Sequence, residues 1–208
     1  MQVLQTAAQQ VEVFNKVKDS KFWGNIDHVQ TRKQAQKFIA QIKEKYNDAS
    51  HNVSAYVIGM GEEPLTYCDD DGEPSGSSGS PVLQAIEGAD LANTVIVITR
   101  YFGGTELGIG GLIRAYGDTA RLAIEKSGIQ KLKPAYRMQV EIEYNLLGTA
   151  LGQIESAQAK IKDVEYDESG AQISFLITEA KKDKLLATLN EVCGGKIELR
   201  QEELFYHK

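Results

Sequence analysis

Residues 94–102, TVIVITRYF, are β-branched or aromatic at every position but Arg100, and this run constrains the fold of the 208-residue chain strongly. A strand without polar alternation suits a position covered on both faces, so its domain needs layers on either side of a sheet. The glycine-rich segment GGTELGIGG follows at once, with glycine at 103, 104, 108, 110 and 111. Leu112–Ser127 then has helical apolar spacing, and Gly128 supplies the stop. Strand, glycine loop and helix in this order can bring backbone N–H groups close to an anion, because glycine has no Cβ and a helix N-terminus favours negative charge. Close packing of helix on sheet explains the same glycines equally well. Arg100 and Arg114 flank the loop and are candidates for bidentate phosphate contacts. The pattern is not G-x-G-x-x-G, because position 113 is Ile, and it has no Walker Lys-Ser/Thr pair. Dinucleotide and ATP binding therefore find no support.

Upstream, VEVFNKV and KFWGNIDHV alternate in polarity around Lys18-Asp19-Ser20 and predict two short strands. Thr31 is positioned to cap a helix ending near Tyr46, with Ala35, Phe38, Ile39, Ile42 and Tyr46 on one face and Arg32, Lys33, Lys37, Lys43 and Lys45 on the other. HNVSAYVIG (51–59) reads as a strand, and the polar stretch 61–81 as a surface loop with one short strand at most. Ser80 and Pro81 suit the N-cap and first turn of a helix stopping at Gly88.

Inside the polar loop, Asp69, Asp70, Asp71 and Glu73 place four carboxylates in five positions. Such groups repel unless a cation, backbone amides or a basic partner neutralises them. The spacing excludes an EF-hand and leaves magnesium held through one or two carboxylates with waters open. Two readings stand: an acidic turn that caps local amides, or a functional loop using Asp70, Asp71 and Glu73.

Composition narrows the function classes. A formal net charge of −6 is not that of a general polycation, and 42% hydrophobic with 25% charged residues is ordinary for a globular protein. Cys68 and Cys193 stand far apart and only three histidines occur, so neither a disulfide framework nor a zinc knuckle is expected. No cofactor or metal motif is present, no catalytic residue can be named, and there is no G-x-S-x-G elbow beside the loop serines. No apolar stretch reaches membrane-spanning length and the start has no signal-peptide pattern, which predicts a cytoplasmic protein.

The composition shifts at 129–135, where we place a boundary between domains 1–133 and 134–208. The second part reads strand 136–144, helix 147–157, strand 160–166, strand 171–178, helix 181–192, strand 196–201. Leu185, Leu186, Leu189 and Val192 form the last helix's buried stripe. This βαββαβ order is the ferredoxin-like arrangement, and the expected class for the whole chain is α+β.

DDDGEPSGSSGSPVLQ and VIVITRYFGGTELGIGGLIRAYGDTAR closely resemble the two signature stretches of the YigZ/IMPACT family. SKFWG (20–24) resembles a third segment, and His51 falls where members carry a histidine. The resemblance implies a first domain like the second domain of ribosomal protein S-five and a second domain like the fifth domain of elongation factor G. It also implies contact with RNA, the ribosome or a translation factor. Eukaryotic relatives act in translational control through an additional N-terminal domain which this sequence does not contain.

Three functional expectations follow. The first is a non-enzymatic translation-associated protein binding RNA or the ribosome. Residues 1–133 hold 14 basic and 16 acidic side chains and residues 134–208 hold 9 and 13, so any such affinity must come from a segregated patch. The second is an enzyme or binding protein for a small phosphorylated ligand. Its candidate residues are Asp70, Asp71, Glu73, Arg100, Gly103, Gly104, Gly108, Gly110, Gly111 and Arg114. The third has the acidic turn dock on the glycine loop as scaffold, with arginine paired to carboxylate, and protein–protein contact as the function.

Overall fold

The computed structural model describes residues 4–59 and 64–207, so positions 61–63 of the expected polar loop lie outside the described residues. The chain divides into two compact units, Met1–Lys131 and Leu132–Lys208.

The first unit is built on strand β6 (Thr94–Tyr101), whose residues 94–100 are all buried. Around it β2 (Val11–Val17), β3 (Ser20–His28), β4 (His51–Ile58) and β5 (Leu65–Asp69) form an antiparallel sheet in the order β2-β3-β6-β4-β5. Pleating sends alternate residues of β6 to opposite faces. Ile96 and Ile98 pack with Phe22, Val53 and Ala55 against helices α2 (Gly79–Gly88) and α3 (Ile109–Ser127). Val95 and Val97 join Tyr56 and Ile58 against Ala35, Phe38 and Ile42 of α1 (Arg32–Lys45). Cover on both faces is what the apolar run requires.

The Thr31 hydroxyl accepts from the Gln34 amide at 3.2 Å, capping α1 as expected. Three boundaries differ from the sequence reading. α2 begins at Gly79 with Ser78, not Ser80, as N-cap, because the Asp70 carboxylate reaches its first amides from the preceding loop. α3 begins at Ile109, so Gly110 and Gly111 lie in its first turn instead of in a loop. A short strand β1 (Gln5–Ala7), invisible in the pattern, pairs with β7 (Ile129–Lys131).

In the second unit β8 (Lys133–Ile142), β9 (Lys160–Tyr166), β10 (Ala171–Thr178) and β11 (Ile197–His207) form an antiparallel sheet in the order β11-β8-β10-β9. With α4 (Leu147–Ser156) and α5 (Glu179–Val192) this is the ferredoxin-like βαββαβ order. Met138, Val140, Ile173 and Phe175 face Ala150, Ile154, Leu185 and Leu189. Val192, expected in the buried stripe, is 40% exposed because it closes the helix. β11 continues to His207, past the expected end at Gln201, because β8 offers it a partner along its whole length. Among the described residues no helix is long and apolar enough to cross a membrane.

Candidate functional site

The acidic loop turns sharply after β5. Asp71 (φ 47) and Gly72 (φ 88) occupy the left-handed region, and the Glu73 amide donates to the Asp70 carbonyl at 3.0 Å. This turn points Glu73 inward, where its side chain is only 4% exposed. Glu73 Oε1 accepts from Arg100 Nη1 at 2.7 Å and from the Tyr116 hydroxyl at 2.7 Å. Strand β6 supplies Arg100 and helix α3 supplies Tyr116, so one carboxylate joins three elements. The Arg100 guanidinium also donates to Ser20 Oγ at 3.3 Å and lies over the Phe22 and Phe102 rings at 5.6 and 5.5 Å. Its Nε has no hydrogen-bond partner among the described residues.

His51, at the start of β4, completes the junction. Its Nδ1 is 2.8 Å from the Asp71 carbonyl oxygen and its Nε2 is 3.9 Å from Glu73 Oε2. A carbonyl only accepts, so Nδ1 carries the proton and Nε2 faces the carboxylate. Burial first, then the hydrogen bond and charge of Glu73, push the Tyr116 phenol far above its ordinary range, so it stays a protonated donor.

The other acids have separate partners. Asp70 accepts from the amides of Gly76, Ser78 and Gly79 and from the Ser78 hydroxyl at 2.7, 3.1, 2.8 and 2.6 Å. Burial would raise its carboxyl, but those donors outweigh burial and hold it below the usual carboxylate range. Asp71 accepts from Lys43 Nζ at 2.6 Å and from the Asn52 amide at 2.6 Å, and these contacts outweigh burial in the same direction. Asp69 lies 3.7 Å from the same lysine. The crowded carboxylates are thus neutralised by helix amides, Lys43 and Arg100. Among the described residues no group of three or more His, Cys, Asp or Glu side chains could hold a metal ion.

The glycine loop has two parts. At Gly103 a Cβ would lie 2.1 Å from the Asp19 backbone, and the Gly103 amide donates to Ser20 Oγ at 3.3 Å, so this glycine lets the β2–β3 turn close on the loop. Gly104 (φ 89) and Gly108 (φ 69) are left-handed, with Gly108 as N-cap of α3. At Gly110 a Cβ would meet only the end of Arg114, 3.7 Å away, and at Gly111 it would meet Leu107 Cβ at 3.0 Å. The N-terminus of α3 has no side-chain cap, and Arg114 is exposed with no ion pair among the described residues.

The candidate residues therefore fall into different environments. Glu73 and Arg100 meet in the interior, Asp70 and Asp71 brace the loop, and Gly108, Gly110 and Arg114 are exposed. Sequence reasoning missed Tyr116, Ser20 and Lys43 as partners, and gave His51 only as a position where family members carry a histidine. The available signal was Tyr116 four residues after Leu112 on the buried stripe, since a buried phenol needs a partner.

The Impact N-terminal domain family matches residues 18–124, and a domain of unknown function (DUF1949) matches residues 140–196. IMPACT family member YvyE of Bacillus subtilis is 34% identical, with 91% of this chain and 87% of the relative covered. IMPACT family member YigZ of Escherichia coli is 28% identical, with 92% and 94% covered. A solved structure titled as the crystal structure of a hypothetical protein has a TM-score of 0.81 at 27% identity, with 96% of this chain and 97% of that one covered. Over most of its length, and through both signature loops, the chain belongs to the IMPACT family.

Proposed function

We propose that the chain is a translation-associated regulator that binds RNA or the ribosome and performs no chemistry itself. The observation carrying this reading is the internal commitment of the motif charges. Glu73 and Arg100 neutralise each other in the interior, and Asp70 and Asp71 are hydrogen-bonded within the loop, so neither an acid nor a nucleophile is left poised for a substrate. The motifs act as a support, and what they hold outward is a recognition strip on the first turns of α3, with Ile109 and Ile113 at 63 and 42% exposure beside Arg114. Exposed apolar side chains grouped with an unpaired arginine suit a macromolecular partner better than a closed pocket would. The likeness that the family resemblance implies, of the first domain to a ribosomal-protein domain and of the second to an elongation-factor domain, supports the same class.

Sedimentation with ribosomes tests this reading. The chain should pellet with ribosomes at low salt, partly dissociate at physiological salt, and pellet less in an Arg114→Ala/Ile113→Ala variant that melts like wild type. Absence of co-sedimentation, together with absence of binding to isolated RNA, would overturn it. A small phosphorylated ligand is the alternative, favoured by the uncapped N-terminus of α3 beside Arg114. It requires a phosphorylated compound to raise the melting temperature of wild type but not of Arg114→Ala.

A further inference from the structure

Away from the motif loops, the first unit's sheet has a half-face without a helix over it. α1 packs on β4 and β6, and the same face of β2 and β3 lies beside it. Strand register decides what this face carries. Phe14 stands opposite Trp23, which stands opposite Thr99; in the next row Lys16 stands opposite Lys21, which stands opposite Tyr101. The Phe14 and Trp23 rings are 4.7 Å apart, and the ring of Tyr46, just after α1, stacks on Trp23 at 6.5 Å and 22°. Phe14 is 47% and Phe102 50% exposed. Lys21, Trp23, Tyr46, Tyr101 and Phe102 line an open cleft of about 590 Å³, with Asp19 and Asp48 at the same cleft.

Two features of this face are unfavourable without a ligand. Large aromatic rings are in contact with water, and two lysines stand directly opposite each other across neighbouring strands, which is destabilising. Neither Lys16 nor Lys21 has an ion pair among the described residues. The carboxylates at this face already have donors other than these two lysines: Glu12 accepts from Lys45 and Tyr46, Asp19 from the Thr105 hydroxyl, and Asp48 from the Tyr101 hydroxyl. A ligand with an anionic backbone and planar rings relieves both features together. Bases in a duplex are stacked on one another, so the strand must be single to offer its faces.

We propose that this half-face is a platform for single-stranded RNA, with bases stacking on Phe14 and Trp23 and phosphates held at Lys16 and Lys21. The inference rests on the RNA-binding reading above and names where and in what form RNA is held. It lies on β2 and β3, so it does not depend on Arg114 or on the α3 strip.

Trp23 is the chain's only tryptophan, so its emission reports on this place alone. The full chain is titrated with a fluorescein-labelled oligoadenylate of about ten nucleotides, a length suited to one aromatic platform, and Trp23 emission and label anisotropy are followed together. The expected result is quenching of Trp23 in step with the anisotropy rise. Phe14→Ala, at an exposed position, should weaken binding about five-fold or more, and Lys16→Ala/Lys21→Ala should flatten its salt dependence. If RNA or ribosomes bind while Trp23 emission stays constant and Phe14→Ala binds like wild type, the platform is overturned and the broader reading survives. If neither RNA nor ribosomes bind, both fall. Should Phe14→Ala fail to fold, the wild-type emission change still decides.

Discussion

Glu73 and Arg100, 27 residues apart in the chain, meet at 2.7 Å with side chains only 4 and 5% exposed. Two sequence motifs that look independent are one interaction. Removing one partner strands the other charge in the interior, so Glu73→Ala and Arg100→Ala should each cost about 3–5 kcal/mol in urea unfolding. The double variant should lose clearly less than the sum, because it removes both charges. Additive losses would show that the two side chains do not depend on each other.

Tyr116 tests the same junction from the side of α3. Its hydroxyl donates to the shared Glu73 oxygen, so Tyr116→Phe removes a hydrogen bond to a charged acceptor without emptying the core. A loss of about 1.5–3 kcal/mol is expected by chemical unfolding, and a variant as stable as wild type would contradict the junction as described.

The acidic loop sets a pH dependence. Asp70 and Asp71 are held below the usual carboxylate range in the folded state. Between their folded values and the ordinary unfolded value of about 3.9, the unfolded chain binds more protons. Their stabilisation is therefore complete above about pH 4 and is lost as pH falls through the folded values. Melting temperatures of Asp70→Asn should be lower than wild type at pH 7 and should converge on it in the acid range. A constant gap down to low pH would contradict this.

The loop glycines should separate by position. Gly103→Ala puts a Cβ at 2.1 Å from the Asp19 backbone, so the β2–β3 turn must move, and a marked drop in melting temperature is expected. Gly110→Ala meets only a flexible arginine end in the first turn of a helix, and should be neutral or stabilising by about 0.5–1 kcal/mol. Equal effects at both positions would mean that the loop is held differently.

Much of the fold was legible wherever a pattern is local. Thr31 with Ala35, Phe38 and Ile42 marks α1, and residues 94–100 announce a strand covered on both faces. What escaped depends on distant partners. β1 is three residues long and is held by partners far along the chain, Ile129–Lys131 and the segment at Leu91–Ala92. The start of α2 was misplaced because Asp70, eight and nine residues upstream, reaches the amides of Ser78 and Gly79. α3 begins before the first good helix former, since docking of Leu112 and Tyr116 outweighs the poor propensity of Gly110 and Gly111. For the candidate site, the loops were readable from their glycines and carboxylates. That an arginine pairs with a carboxylate of the acidic turn was one of the three expectations; that the pair is Arg100 with Glu73, and that Tyr116 and His51 belong with it, required the fold.

The central claim is that the chain binds RNA through a segregated patch despite its net negative charge. Its most direct test is the anisotropy of labelled RNA across about 50–200 mM salt, the range in which phosphate contacts lose affinity steeply, for wild type and Lys16→Ala/Lys21→Ala. The account predicts wild-type binding that weakens as salt rises, and a shallower slope with weaker low-salt binding in the variant. Salt-dependent binding identical in the two proteins would remove the β2–β3 platform alone, and absent binding, or binding unchanged across that range, would contradict the central claim.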